Sequence, residues 1–228
     1  MIDLLLNQSA TVQPWYVMDS GRRSTKRELQ AMKEIREALE AKDPSVAERF
    51  LPTKIFKIED IPADTEVTSA YERVASRYTL GRQYEWLARL ARSQQVTLEL
   101  GVHRDDKFHN VLGAEIRPTG TGSYSVAGTS DPDLTAFANF EFPIFDMTKI
   151  EMQHFAEKYE FDDIMEMTWF CFSPLLDGKP CGFCNPCRYT REEGLGRRVP
   201  ARSRTRRAHH IALKVLWKVR TTAMSKGK

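Results

Sequence analysis

The residues with the most evident chemistry are four cysteines between positions 171 and 187. Cys181, Cys184 and Cys187 follow the spacing C-x-x-C-x-x-C, and nine residues separate Cys171 from the first of them. Zinc binds four thiolates in a tetrahedron at about 2.3 Å, and Gly or Pro between the cysteines favours the tight turns that this geometry needs. Four thiolates leave no coordination position open for water. The pattern therefore predicts a structural zinc ion.

Two other uses of the cysteines stay open. An iron–sulfur cluster also takes four thiolates, but the ferredoxin pattern needs another cysteine just after Cys187, where this chain has Thr190 and Arg191. A disulfide is the third use, although the short spacing gives no reason to expect one in a compartment that keeps thiols reduced. We favour zinc, and we expect the loss of one thiolate to unfold the module.

Two polar clusters follow apolar runs that are typical of strands. Asp19–Arg23 follows Trp15–Met18, and His103–Asp106 follows Val96–Gly101. In open α/β sheets, ligands bind at the carboxyl ends of the strands. The clusters predict a site for an anionic ligand, with a metal ion; the alternative is that they are solvated loop residues.

The elements that position these clusters alternate between strand and helix. Helices are indicated by apolar residues three and four apart, and by a Ser/Thr–Glu capping pattern at Thr148 and Glu151. The predicted strands are Trp15–Met18, Lys54–Ile58, Val96–Gly101 and Phe140–Ile144, and the predicted helices are Ser24–Lys42, Thr65–Arg77, Gly81–Gln94, one opened by Thr148, and Thr205–Arg220. Gly113–Asp133 is predicted to form a hairpin or a long loop. This order predicts an α/β fold with a parallel sheet and right-handed crossovers.

The composition is that of a folded protein. Of 228 residues, 41% are hydrophobic and 29% are charged, which argues against disorder. The sequence has no run of about 18 apolar residues, which a membrane-spanning helix needs. Met1–Asn7 lacks the basic flank, apolar length and cleavage site of a signal peptide. We expect a cytoplasmic protein with no membrane partner.

Several segments resemble the 7-cyano-7-deazaguanine synthases, a family of the ATP pyrophosphatase (PP-loop) superfamily. Thr168–Cys171 and Cys181–Cys187 resemble the family's zinc module, T-W-x-C followed by C-G-x-C-x-x-C, with Arg191 and Gly194 beyond it. Pro143–Glu151 is similar to the segment before that module, in which Thr-Lys-x-Glu opens a helix. These similarities lie in the C-terminal half.

Weaker similarities lie earlier in the chain. Asp19–Arg23, followed by Glu28, resembles the family's second-strand motif. Gly81–Gln83 stands where the family has Gly-Arg-Asn, and Gly101–Asp105 is similar to a Gly and an Asp that follow a strand. Order and spacing agree over roughly residues 1–195.

The resemblance implies a Rossmann-like fold of the adenine nucleotide alpha hydrolase type and an ATP-dependent carbon–nitrogen ligase. Family members use ATP and Mg²⁺ to convert 7-carboxy-7-deazaguanine and ammonia into the nitrile 7-cyano-7-deazaguanine, a precursor of queuosine and other deazapurines. Adenylation activates the carboxylate, ammonia forms an amide, and a second activation removes its oxygen. The product serves 7-deazaguanine modification of nucleic acids.

The resemblance also implies roles for individual residues. Asp105 and Lys149 are the catalytic candidates: Asp105 contacts metal or substrate, and Lys149 stabilises developing negative charge. The candidates for binding substrate and nucleotide are Asp19, Arg23, Arg82 and Gly101. Each of these side chains has a structural alternative as a surface ion pair or a helix cap.

The sequence departs from the family at the phosphate-binding loop. The superfamily's Ser-Gly-Gly-x-Asp-Ser sequence, whose backbone N–H groups bind pyrophosphate, is absent. In the alignment above, the chain begins just after that loop. We therefore expect either a longer natural protein that carries the loop upstream, or a degenerate relative that has lost ATP chemistry. Lys107–Asp133 does not resemble the family's substrate loop, so another carboxylate substrate stays open.

We expect three regions, which differ in charge. They are an N-terminally incomplete α/β nucleotide-handling domain (1–150), a helix with the zinc module (151–195) and a basic tail (196–228). Arg188–Lys228 carries a net charge of +11, against −8 for residues 1–187. The tail supports the alternative of a zinc-stabilised module that binds nucleic acid or a partner, and its helix supports a homodimer. The basic residues of that alternative are Arg197, Arg198, Arg202, Arg204, Arg206, Arg207, Lys214 and Arg220, with Trp217 among them.

Overall fold

A computed structural model describes residues 1–126 and 128–225, without the side chains of residues 114 and 218–225. Within these ranges the chain is mixed α/β. Its strands are β1 (Trp15–Met18), β2 (Lys54–Lys57), β3 (Leu98–Glu99), β4 (Arg117–Pro118), β5 (Tyr124–Ser125) and β6 (Phe140–Glu141). Its α-helices are α1 (Ile2–Leu6), α2 (Thr25–Lys42), α3 (Val46–Arg49), α4 (Thr65–Arg77), α5 (Gln83–Gln94), α6 (Lys107–Leu112), α7 (Lys149–Lys158), α8 (Asp162–Glu166), α9 (Asn185–Thr190) and α10 (Arg204–Ser225).

Most of the helices and strands expected before residue 95 are confirmed, with ends shifted by a few residues. The Arg220 side chain and residues 226–228 of the predicted tail lie outside the described residues. Among the described helices, none has the length and apolar character needed to cross a bilayer.

The chain divides into two compact units. The first unit consists of Met1–Lys57 and Met152–Lys228, and the second of Ile58–Glu151. The three regions expected from the sequence stay a prediction.

In the first unit, β1 and β2 form a two-stranded parallel sheet, in register from Trp15 opposite Lys54 to Met18 opposite Lys57. Because apolar residues recur every three or four positions in α2, the helix buries one stripe. In the core of this unit, that stripe packs with residues of α1, α3, α7 and α8. It contains Ile2, Leu5, Ile35, Leu39, Val46, Phe50, Ala156, Phe161 and Ile164.

The second unit contains a four-stranded sheet in the order β3-β6-β5-β4. Only β3 and β6 pair in parallel, and β4 and β5 form the hairpin expected within Gly113–Asp133. The sequence predicts that β3 extends the β1–β2 sheet. It instead pairs with β6, through the Leu98 amide to the Asn139 carbonyl oxygen and the Leu100 amide to the Glu141 carbonyl oxygen.

The physical reason for this pairing is an aromatic core. Phe108, Phe137, Phe140 and Phe142 are fully buried, and their rings lie 5.1 to 6.3 Å apart. Two of these rings lie on or directly after β6, so the core holds that strand in the interior, where β3 can reach its backbone. Aromatic residues have a larger surface to bury than other side chains, and here they decide the strand order.

A side-chain cap begins α4. Asp64 Oδ1 accepts hydrogen bonds from the amides of Glu66 at 3.1 Å and Val67 at 3.0 Å. These are two of the amide groups that have no partner within the helix. The cap therefore fixes where α4 begins in the second unit.

Asp64→Ala should lower the free energy of unfolding by about 1 kcal/mol, because two amides lose their acceptor. Asp64→Asn keeps the accepting oxygen and is the matched control, with an expected loss of only a few tenths of that value. Urea unfolding followed by circular dichroism measures both. Equal losses for the two variants would show that the Asp64 charge, which lies 3.4 Å from Arg92, matters more than the cap.

Candidate metal centre

The four cysteines converge in the first unit. Their Sγ atoms all lie within 4.8 Å of one another. Three of the separations are 3.5 Å between Cys184 and Cys187, 3.8 Å between Cys171 and Cys184, and 3.9 Å between Cys181 and Cys187. Four sulfurs at about 2.3 Å from a central ion form a tetrahedron with edges of about 3.8 Å, so the spacing fits zinc. Bonded sulfurs lie at about 2.05 Å, so none of these pairs is a disulfide.

Backbone amides point at two of the sulfurs. Cys171 Sγ accepts from the amides of Ser173 at 3.4 Å and Cys181 at 3.2 Å. Cys181 Sγ accepts from the amides of Phe183 and Cys184, both at 3.3 Å. Such contacts stabilise negative charge on sulfur and orient it, as hydrogen bonds around metal ligands generally do. The donor set and its surroundings fit a zinc ion, which would cross-link the loop.

Gly182 and Arg191 hold the loop between the cysteines. Gly182 has a φ of +85°, which favours glycine, and an added Cβ would lie 3.3 Å from the Arg191 guanidinium. Arg191 donates to the carbonyl oxygens of Gly182 and Pro200, both at 2.8 Å. One side chain thus ties the loop to the segment that leads into α10.

The segment before Cys171 is held by arginines from other elements. Arg198 donates to the backbone and hydroxyl oxygens of Thr168, and its guanidinium lies 5.3 Å from the centre of the Phe170 ring. The Arg27 guanidinium of α2 lies 4.9 Å from the centre of the Trp169 ring. Trp169 Nε1 donates to the Cys171 carbonyl oxygen at 2.8 Å. These contacts fix the position of the first ligand.

The proximity of the thiols separates their acidities. Hydrogen bonding from Cys171 lowers the pKa of Cys181 and lowers the pKa of Cys184 to about 7. The hydrogen bond to Cys181 raises the pKa of Cys171. For Cys187, the hydrogen bond with Cys171 lowers the pKa, but those with Cys181 and Cys184 outweigh it and raise the pKa. Cys181 and Cys184 are therefore the two cysteines that lose their protons most readily.

The loop after β1 carries two of the predicted site residues. Asp19 Oδ1 accepts from the Gly21 amide at 2.8 Å, so this carboxylate closes a turn. The neighbouring Arg22 guanidinium lies 5.0 Å from the centre of the Phe172 ring, which places this loop beside the cysteine module. Arg23 Nη1 is buried, with no hydrogen-bond partner among the described residues. The structure thus places the loop that carries Arg23 beside the cysteine module.

The predicted catalytic residues come together in the second unit. The Lys149 amide donates to Asp105 Oδ2 at 3.2 Å. The expected capping box is confirmed: the Thr148 amide donates to Glu151 Oε2 at 2.7 Å, and the Glu151 amide donates to Thr148 Oγ1 at 3.2 Å. The cap begins α7, so Lys149 is its first residue, beside the loop that follows β3. His103 is buried next to Asp105, whose amide donates to His103 Nδ1 at 3.2 Å.

Gly101 and Arg82 are the other two predicted site residues of the second unit. Gly101 follows β3, and a Cβ there would lie 3.8 Å from the Ile144 side chain. Arg82 is exposed at the start of α5, two residues before Tyr84. Tyr84 donates to Asp106 Oδ1 at 3.4 Å, so this end of α5 adjoins the loop. Burial raises the pKa of Tyr84, and the Asp106 charge raises it further, so the hydroxyl keeps its proton.

A comparison with models of known protein families finds a match in this chain. Residues 131–198 match the family model described as queuosine biosynthesis protein QueC. The matched range contains all four cysteines and Lys149. The match covers under a third of the chain and supports the 7-cyano-7-deazaguanine synthase assignment, whereas Asp19–Arg23 and Asp105 lie outside the QueC match. No curated protein and no solved structure matches this sequence.

The sequence analysis missed Phe183 and His210. The Phe183 ring stacks with the buried His210 ring, with centroids 5.7 Å apart. The sequence offers one signal for His210, which lies four residues after Arg206 and so on the same face of the predicted helix. Arg197, Arg198 and Arg206 are among the basic residues that the sequence offers to nucleic-acid phosphates. In the structure these three bind Glu166, Thr168 and Asp177.

Replacing any one cysteine by serine should abolish stoichiometric zinc binding, because three thiolates cannot complete the closed site. Purified protein should hold one zinc per chain by elemental mass spectrometry, and Cys181→Ser should hold almost none. Ser173→Ala changes a neighbouring side chain that is not a ligand and should keep its zinc. Full zinc content in Cys181→Ser would refute the four-sulfur site.

Zinc affinity should fall as the pH falls, because each sulfur must lose its proton to bind the ion. In the metal-free protein the lowered pKa of Cys184 keeps its thiolate present above about pH 7 and loses it as the pH falls through that value. Cys171 and Cys187, with raised pKa values, release protons on binding in both ranges.

The slope of the logarithm of affinity against pH should therefore change from roughly two above pH 7 to roughly three below it. Competition with a chromogenic chelator, corrected for the chelator's own protonation, measures this slope. A single slope across this range would contradict the assignment of Cys184.

Proposed function

We propose that this protein is an ATP-dependent ligase of queuosine precursor synthesis that converts 7-carboxy-7-deazaguanine and ammonia into 7-cyano-7-deazaguanine. The QueC match over residues 131–198 carries this proposal, because it includes both the cysteine cluster and the start of α7. The match supports a function related to queuosine biosynthesis and a ligase-type enzyme. The identity of the acid substrate and the use of ATP and Mg²⁺ are the proposed part.

The contacts around Asp105 support a site for this chemistry in the second unit. Activating a carboxylate with ATP builds negative charge on phosphate and carbonyl oxygens, which fixed cations and N–H donors stabilise. Lys149 lies at the N-terminus of α7, where the helix dipole also favours anions. Asp105 supplies a carboxylate oxygen, the ligand type that Mg²⁺ prefers. We assign Lys149 to the developing charge and Asp105 to the metal or substrate.

Arg82 and Gly101 are the proposed substrate and nucleotide contacts in the second unit, and the same role for Asp19 and Arg23, which belong to the first unit, stays a prediction. Arg82 is exposed at a helix start, where a guanidinium can bind phosphate. Gly101 is exposed after β3 and leaves room for a ligand to approach the backbone. The zinc ion takes no part in the reaction in this proposal, because four sulfurs leave it no open position. Its role is to cross-link the module.

A second candidate function is a zinc-stabilised module that binds nucleic acid or a partner protein without catalysis. The exposed arginines Arg202, Arg204 and Arg207 near and on α10 favour it. They have no ion-pair partner among the described residues. Binding to a nucleic-acid backbone would weaken steeply with added salt. Catalysis on another carboxylate is a third outcome, and product analysis distinguishes it.

Lys149→Met should lower kcat by roughly a hundredfold or more, because one charge-stabilising group is lost from the transition state. The assay uses the longest in-frame protein that contains this chain, loaded with zinc, and follows nitrile formation by mass spectrometry with ATP and ammonia. Lys158→Met removes an exposed lysine from the other end of α7 and is the matched control.

Nitrile formation that depends on ATP and on Lys149, but not on Lys158, is the expected result. A folded, zinc-loaded protein that consumes no ATP with the carboxylated deazapurine would refute the ligase. Equal activity of Lys149→Met and Lys158→Met would refute the role of Lys149 alone.

A further inference from the structure

A pocket of about 430 Å³ lies within the first unit, between the cysteine loop and α10. Its lining consists of Phe183, Arg202, Arg207, His210 and Ile211. Phe183 stands between two of the cysteines, and the other four residues belong to α10 or to the segment before it. Cavities of about 300 Å³ or more are large enough for small organic ligands.

The two arginines that line the pocket can donate further hydrogen bonds to a ligand. Arg202 Nε donates to the Gly182 carbonyl oxygen at 3.5 Å, which anchors the guanidinium to the cysteine loop. Arg207 is exposed. In residues 1–126 and 128–225, no described acidic side chain pairs with Arg202 or Arg207. Their planar guanidinium groups suit anions that accept two hydrogen bonds side by side.

Three buried side-chain nitrogens of the first unit have no hydrogen-bond partner among the described residues. His210 is only 8% exposed, and its Nδ1 has no hydrogen-bond partner in the described part of the chain. The same holds for Arg23 Nη1 and for Arg206 Nε, one turn before His210. Burial lowers the pKa of His210, and the positive charges of Lys214 and Arg23 lower it further, against an opposite effect of Cys181. Buried polar groups in native proteins almost always have a hydrogen-bond partner, in the protein, in water or in a ligand.

We propose that this pocket binds a phosphate group. The guanidinium groups of Arg202 and Arg207 line it with no acidic partner among the described residues, and a dianion compensates two positive charges better than a singly charged carboxylate does. Phe183 and Ile211 form an apolar wall that can contact an organic group attached to the phosphate. The phosphate belongs either to a small molecule or to a nucleic-acid backbone, which offer the same chemistry. This inference does not depend on the ligase activity.

Isothermal titration calorimetry with inorganic pyrophosphate tests the proposal on zinc-loaded protein. The double variant Arg202→Gln with Arg207→Gln should bind pyrophosphate roughly tenfold more weakly or worse, since two charge-assisted contacts are lost. Lys179→Gln removes an exposed charge from the loop between Cys171 and Cys181 but does not line the pocket, so its affinity should equal that of the unmodified protein. Sodium acetate at the same concentration should not compete. Zinc content and circular dichroism confirm that each variant is folded.

A short RNA duplex distinguishes the two sources of phosphate. If the RNA binds, competes with pyrophosphate and is weakened by the double variant but not by Lys179→Gln, the pocket receives a backbone phosphate. If only pyrophosphate binds, the ligand is a small phosphate compound. No pyrophosphate binding, or equal losses in the double variant and Lys179→Gln, would overturn the proposal. None of these readouts uses catalysis, so failure here leaves the ligase proposal intact.

Discussion

The arrangement of the first unit's C-terminal part depends on four sulfur atoms within 4.8 Å of one another. Around them the apolar cluster is small, with Leu175 and Val199 as its buried non-cysteine members. Such a cluster buries too little surface to hold a long irregular loop by itself. A metal ion bound by four thiolates supplies folding free energy on the order of 10 kcal/mol, which is what this module lacks without it.

Contacts around the sulfurs connect the cysteine module to other elements of the first unit. Arg191 and Arg198 connect the cysteine loop to the residues before α10, and Arg27 connects α2 to Trp169. A metal ion held by the four sulfurs would therefore fix the segment that leads into α10. It would also fix one wall of the pocket beside Phe183, although no pocket residue is among the four cysteines. The polar site of the second unit has a different basis, since a capping box and the loop after β3 position Lys149 and Asp105.

Local features were predictable from the sequence, whereas long-range pairing was not. Cysteine spacing, the Thr148–Glu151 cap and the apolar periodicity of α2 act over a few residues, and the structure contains each of them. The pairing of β3 with β6 follows from aromatic packing between segments far apart in the chain, which no local pattern encodes. The stacking of His210 on Phe183 has the same character. Charge alone could not show which arginines of the basic tail bind within the chain.

X-ray absorption spectroscopy at the zinc edge would show how many sulfurs bind the metal. For the purified protein, we expect a first coordination shell of four sulfurs at about 2.3 Å with no nitrogen or oxygen ligand. A shell that contains fewer than four sulfurs together with oxygen or nitrogen would contradict a closed structural site. So would a protein that carries no metal and keeps the same cysteine geometry.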